Sequence, residues 1–471
     1  LSIIEETLVE PAVLERALAA ALRRGGDLAE IFAEDRRSTS VVLDDGRVEE
    51  LSSGHDRGAG VRVVVGDTTG FAHTADLSEA GLRAAAEAAS AVARSGGGGV
   101  RQVALGERAG RSSAGVETLP ETVAKERKVG LLLRADAAAR ATGSAVVQVT
   151  ADYSDGRRRF VVANSEGVLA GDDQVRTRVG VHAVALGDTG RQTGYESLAH
   201  TVGFELFDRH RVEDVAEEAA HRAIGKLAAR PAPSGVVPVV IRRGSGGILF
   251  HEACGHGLEA DHILKDSSVY TGRVGELVAS PLVTLVDDGT VAESWGTIGV
   301  DDEGNPTRRN VLIENGVLAD YMWDSLRARK QGRGSSGNGR RQNYRVLPMV
   351  RMTNTYLLPG RDDPDEIVAQ TPYGVYVAKL GGGQVNTATG DFVFGMVEAY
   401  LIEDGKITAP LRDANLIGNG PEVLRHVDAV GNDFELDPGT CGKDGQSVPV
   451  GCGQPTLRIG AGVTIGGTAG A

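Results

Sequence analysis

The chain has 471 residues, 41% hydrophobic and 24% charged, which excludes a wholly disordered or fibrous protein and allows two or three domains with a sizeable core. Its 50 Lys and Arg are outnumbered by 64 Asp and Glu, and the net charge of -14 argues against a nucleic acid as partner. Three cysteines, Cys254, Cys441 and Cys452, are too few for a disulfide framework, and residues 1–10 lack a basic, apolar leader, so a cytoplasmic location is expected.

Residues 11–24 have apolar side chains at helical spacing and stop at Gly25-Gly26. Short strands are predicted at 29–33, 39–43, 47–51, 60–65 and 69–73, with Asp45-Gly46 as a hairpin turn. An Ala-rich helix follows over 76–94, capped by Asp76 or Ser78, and 96–99 reads as a flexible connection. The order then recurs, with a helix over 121–141, strands over 145–152, 158–164 and 175–186, and a helix over 212–229. This is either a loose internal duplication or two ordinary α+β stretches in succession. The prolines and glycine of residues 230–235 place a domain junction there. The expected fold is α+β: an N-terminal domain with mixed sheets over 1–232 and a β-rich C-terminal domain over 233–471. In the second domain a strand over 236–241 leads through a Gly-rich loop into a helical stretch over 247–261, and most of the remainder is strand and turn. No apolar run approaches the roughly 20 residues that span a bilayer, so no membrane partner is expected.

The helical stretch carries the chemistry. It includes His251-Glu252-Ala253-Cys254-Gly255-His256-Gly257-Leu258-Glu259-Ala260-Asp261-His262. Two imidazoles flanking a glutamate are the pattern of zinc peptidases, in which the histidines bind metal and the glutamate activates water. In the common form the histidines are four apart, about 40° around a helix, whereas His256 follows His251 by five, about 140°. A π-type turn of about 4.4 residues would reduce this to about 50°, and Gly255 and Gly257 ease the distortion, so the motif predicts a kinked or bulged helix. The alternative has His256 capping or packing near a helix end while His251 alone is buried.

Two histidines need a third ligand from elsewhere. Cys254 reads as a small buried hydrophobe. Cys441 lies in a glycine-flanked loop over 437–446 beside Lys443, where a thiolate would be accessible and favoured, and Cys452 is a second candidate of this kind. Glu259 or Asp261 could orient a histidine, although Asp261 reads more readily as a solvent-facing carboxylate, and His262 as a solvated residue past the helix end. Gly244-Ser245-Gly246-Gly247 suggests a nucleotide loop but lacks the P-loop spacing and a following Gly-Lys-Ser/Thr. Residues 327–345, rich in Arg, Gly and Asn, read as a phosphate contact or equally as a mobile loop over the cleft.

Several segments in order carry a resemblance to a known family. They are His251 to Asp261, Gly381-Gly382-Gly383-Gln384-Val385-Asn386-Thr387, Glu398-Ala399-Tyr400-Leu401-Ile402-Glu403-Asp404-Gly405, Leu416-Ile417-Gly418-Asn419-Gly420, and Cys441 running into Val448-Pro449-Val450-Gly451. Across essentially its whole length the chain resembles the TldD/PmbA metalloproteases, historically labelled modulators of DNA gyrase. The resemblance implies that His251, His256 and Cys441 bind one Zn2+ and that Glu252 is the catalytic base. It also implies a TldD-type catalytic subunit, because the PmbA-type (TldE) partner lacks the motif. A dimer is implied too, with such a partner or with a second copy, whose enclosed cavity admits unfolded peptides. The expected function is a zinc-dependent peptidase acting on small or unfolded peptides, which an extended strand pairing at a sheet edge would hold. The alternatives are hydrolysis of a non-peptide C–N bond in a biosynthetic pathway, or a non-catalytic regulator or scaffold.

Overall fold

The structure, a computed structural model, describes residues 8–93, 103–109, 115–244 and 246–467. The connection expected at 96–99 lies outside them. Strands β1 (Leu28–Asp44), β2 (Arg47–Val65), β3 (Thr68–Thr74), β4 (Gly106–Ala109), β5 (Val146–Asn164), β6 (Val168–Gly187) and β7 (Gly190–His200) form one seven-stranded sheet. Its order is β3-β2-β1-β5-β6, with β4 and β7 both on the free edge of β6.

Three strands are longer than expected, because 29–33 joins 39–43, 47–51 joins 60–65, and 145–152 joins 158–164. The joining stretches, such as Asp35-Arg36-Arg37-Ser38, lack apolar alternation because there the sheet passes from one hydrophobic core to another. Ala29, Ile31 and Ala33 of β1 pack with α1 (Pro11–Ala21) and α2 (Glu79–Val92), whose N-cap Ser78 accepts from Gly81 N at 3.2 Å. Val41 and Leu43 of the same strand belong to a second core with α3 (Lys125–Ala141) and α5 (Val212–Leu227), which lie before and after the single turn α4 (Leu206–Arg209) along the chain.

The other face of this sheet carries charged side chains around a small cluster of Phe32, Phe160 and Val162, and packs on the later chain. Period-2 alternation puts Glu30, Phe32, Glu34 and Arg36 there. Glu30 accepts from Arg62 at 2.8 Å and Arg341 at 2.7 Å, Arg62 also reaches Glu303 at 2.8 Å, and Arg158 bridges Glu34 and Asp302, each at 2.9 Å. Residues 339–341 are therefore inside a seam, with Arg340 and Arg341 buried. That part of the 327–345 segment is no mobile loop over a cleft, since the carboxylates on that face of the sheet hold Arg341 in place.

At Arg230–Pro231 the chain pairs with the strand Lys406–Arg412 and enters a ten-stranded sheet. A six-stranded sheet ends on Asn354–Leu357, Gln446–Gln454 and the edge strand Glu435–Lys443. The motif segment joins both sheets in the largest core, where Leu249, Phe250, Ala253, Cys254 and Leu258 share a cluster with Val239, Ile241 and Val377 of one sheet and Leu285, Ile313 and Leu357 of the other. Helices and mixed sheets thus form the α+β fold expected. No described helix is long and apolar enough to cross a membrane.

Candidate metal centre

After Val239–Ile241 the chain forms an α-helical turn over Gly247–Phe250, widens to a π-helical turn over His251–Gly255, and tightens to a 3-10 turn over His256–Leu258. This is the bulge that the five-residue spacing demands. It brings the ring centres of His251 and His256 to 5.2 Å; His256 follows the end of the π turn, as the alternative had it, but both residues are buried, so His251 is not buried alone. Gly247 seats the segment on the neighbouring strand, where a Cβ would lie 2.1 Å from Gly453 N. The glycine there serves close packing of a helix on a strand.

Cys441 comes from the far end of the chain. The expected accessible loop at 437–446 is instead a hairpin, Glu435–Lys443 paired antiparallel with Gln446–Gln454. Only Asp444-Gly445 has the turn backbone, with φ of 48° and 74°, so the other glycines lie in strand. Cys441 consequently points inward, 1% exposed, into a cluster with Val448, Val450 and Cys452. Its Sγ lies 3.4 Å from His256 Nε2, and one donor atom from each of His251, His256 and Cys441 falls within 4.8 Å of the others. Tetrahedral zinc with ordinary Zn–N and Zn–S bonds holds its ligand atoms about 3.5 Å apart.

Each side chain around the cluster has a physical assignment. Both ring nitrogens of His251 are buried without a hydrogen-bond partner among the described residues, which costs about 1–3 kcal/mol per orphaned group unless a ligand engages it. His256 is oriented by Glu259, wholly buried, whose Oε2 is 2.8 Å from Nδ1 and accepts from Lys443 Nζ at 2.9 Å. Asp261 does not face solvent; it is buried, with Oδ1 2.8 Å from the same ammonium. Lys443 therefore serves two buried carboxylates, whose charges attract it strongly in a dry site. Arg351, which no local pattern flags, donates from Nη2 to the Cys441 carbonyl at 2.5 Å. Glu252 has a side chain 24% exposed, with Oε2 3.7 Å from His256 Nε2.

Burial opposes ionisation of the Cys441 thiol, yet the adjacent His251 and His256 draw it down to about 4. Burial would lower His256, but Glu259 and Cys441 outweigh it and raise the ring to about 9. His251 is likewise raised, against burial, by Cys452 and Cys441. The pocket thus calls for positive charge among a thiolate and two imidazoles, which a metal ion held by them would supply in place of the protons. Cys254 lies apart beside Tyr270, its thiol pushed up to about 12 by burial. His262 is half-buried rather than solvated, near Glu259 and Asp261; that second group of donors already holds the Lys443 ammonium.

A cleft of about 390 Å³ separates β7 from the Cys441 strand, with Glu196 to His200 on one wall and Leu436, Asp437 and Pro438 on the other. Burial pushes the Asp437 carboxyl up to about 6.

Three family models match in succession: the PmbA/TldA metallopeptidase domain 1 over residues 29–93, its central domain over 118–227, and its C-terminal domain over 234–467. The chain belongs to the PmbA/TldA metallopeptidase family. A metalloprotease TldD homolog of Haemophilus influenzae is 41% identical over 462 residues, 94% of each chain. A metalloprotease of Methanothermobacter thermautotrophicus is 37% identical over 94% of this chain and 96% of its own. The crystal structure of TldE from Thermococcus kodakarensis shares the fold, with a TM-score of 0.78 at 21% identity over 96% of this chain and 100% of that one. Membership in a metallopeptidase family implies a metal ion, and His251, His256 and Cys441 fit one.

Proposed function

We propose that the chain is a zinc-dependent peptidase of TldD type, with His251, His256 and Cys441 as zinc ligands and Glu252 as general base. The observation that carries this reading is the 3.4 Å approach of Cys441 Sγ to His256 Nε2 beside a His251 ring with no hydrogen-bond partner among the described residues. Two nitrogens and a thiolate suit zinc, whereas magnesium and calcium take oxygens. A bound zinc ion supplies Lewis acidity and brings the pKa of water toward neutrality. The chain's own groups do the rest. Glu252, partly exposed beside the cluster, takes a proton from the attacking water and returns it to the leaving amine. Glu259 holds Nδ1 of His256 and so leaves Nε2 as the donor toward the ion.

The edge of Glu435–Lys443 that pairs with no described strand, whose first residues line the 390 Å³ cleft beside β7, suits an extended peptide. Strand addition pairs backbone groups and reads few side chains, in keeping with small or unfolded substrates. The fold shared with TldE supports assembly with a TldE-type subunit or a second copy, and the crossing at Arg230–Pro231 supports division into parts 1–232 and 233–471, in a cytoplasmic protein.

The test pairs metal analysis with peptide cleavage. Glu252→Gln keeps zinc and loses turnover, while Cys441→Ser and His256→Ala lose zinc. Cleavage by Glu252→Gln at the parent rate removes that residue as base, and full zinc occupancy in Cys441→Ser removes the thiolate from the ligand set.

A further inference from the structure

The seam between the seven-stranded sheet and the later chain opens into a second cavity, of about 340 Å³. Seven arginines and one aspartate line it, a local reversal in a chain of net charge -14, and that aspartate, Asp155, is already paired with Lys128 at 2.5 Å. Strand register gathers the cations: Arg36 of β1 lies directly opposite Arg158 of β5, and Arg176 of β6 lies opposite Gly156, two residues along the same face. Like charges placed across a sheet destabilise it. Glu34 and Asp302 neutralise Arg158.

Arg36, Arg176 and Arg340 have no carboxylate in ion-pair contact among the described residues. Arg36 donates to the Gln342 carbonyl at 3.0 Å. Arg176 donates to the carbonyls of Trp295 and Thr297 and to Gln174 Oε1, at 3.0, 2.9 and 2.9 Å. Arg340, 4% exposed, donates to the carbonyls of Met352 and Pro449 at 2.5 and 2.8 Å. Carbonyls orient a guanidinium without cancelling its charge. Beside them Arg341, 1% exposed, leaves Nε and Nη1 without a hydrogen-bond partner among the described residues. Burial, with Arg340 next to it, pushes Arg176 down to about 9, and burial pushes Arg340 down to about 10.

We propose that this cavity binds an anionic group, a carboxylate or a phosphate, clamped by Arg36, Arg176 and Arg340. Guanidinium forks match either anion in a bidentate fashion. The site also touches the proposed zinc hairpin, since its lining includes Val448, the register partner of Cys441, and Pro449, whose carbonyl holds Arg340. A bound anion would brace that hairpin. Its source is either a free phosphate-bearing molecule or the terminal carboxylate of a peptide, and only the second source rests on the peptidase reading.

The test is calorimetric titration of the full chain with inorganic phosphate, with succinate, and with trialanine bearing a free or an amidated C-terminus, each against sodium chloride at matched ionic strength. At least one of the first three is expected to bind saturably, and Arg176→Gln and Arg340→Gln to weaken it tenfold or more. Arg36→Gln, at an exposed position, gives the same readout free of any folding defect. Binding of free but not amidated trialanine assigns a peptide carboxylate; binding of phosphate alone assigns a free anion. Heats no different from chloride for every anion, or parental affinity in all three variants, would overturn the proposal. No turnover is measured, so a failed peptidase reading leaves the phosphate and succinate results standing.

Discussion

Replacing Glu259 by Gln removes a charge from a wholly buried site and keeps an oxygen able to accept from His256 Nδ1, 2.8 Å away. Partners that orient metal-binding histidines typically contribute 10–100-fold in metal affinity, about 1.4–2.7 kcal/mol. The upper part of that range is expected here, because the same carboxylate oxygen also accepts from Lys443 at 2.9 Å. Stranding one member of a buried ion pair costs about 3–5 kcal/mol. Lys443 keeps Asp261 and the Val350 carbonyl, so the loss of fold stability should be nearer 1–3 kcal/mol. The pH dependence has a definite sign. Burial alone would raise the Glu259 pKa, but Lys443 and His256 draw it down to about 2, from an ordinary value near 4.5. A depressed carboxylate stabilises the fold fully above its unfolded value, and that contribution fades as pH falls from about 4.5 toward 2. Zinc affinity by competition with a chromophoric chelator, and metal-free unfolding between pH 7 and pH 3, would measure both effects. Parental zinc affinity in Glu259→Gln, or a parent–variant gap that widens on acidification, would refute the reasoning.

Three other substitutions probe the frame. Gly247→Ala puts a Cβ 2.1 Å from Gly453 N and should lift the motif segment off its strand, at about 1–3 kcal/mol and with loss of bound zinc; an unchanged melting temperature contradicts this. Arg62→Met leaves Glu30 and Glu303 facing each other across the seam and should lower stability by about 3–5 kcal/mol, read from denaturant midpoints. Asp437→Asn should stabilise the protein above pH 6, because burial raises that carboxyl to about 6 and ionising it then opposes folding; the advantage should vanish below about pH 4, and a constant advantage across melts at both ends rules the explanation out.

Local chemistry was readable where few residues decide it. Asp45-Gly46 and the Ser78 cap involve neighbours only, and both are present. The spacing of His251 and His256 required a distorted helix, since backbone geometry alone sets where position five falls. The strands run longer than their apolar alternation predicts, for a physical reason. Asp35-Arg36-Arg37-Ser38 shows no period because its neighbours are other strands' charges and the facing seam, all remote in sequence.

The same division runs through the site. The segment bearing His251 and His256, its bulge and the family are legible in the residues alone, since these depend on residue identity and adjacent backbone. Only the folded chain brings Cys441 to His256 across 185 positions, turns Lys443 to Glu259 and Asp261, and gathers arginines of β1, β5 and β6 at one cavity. Those outcomes follow from strand register, and shifting a register by one residue turns every side chain to the opposite face, an effect no stretch of neighbouring residues reveals.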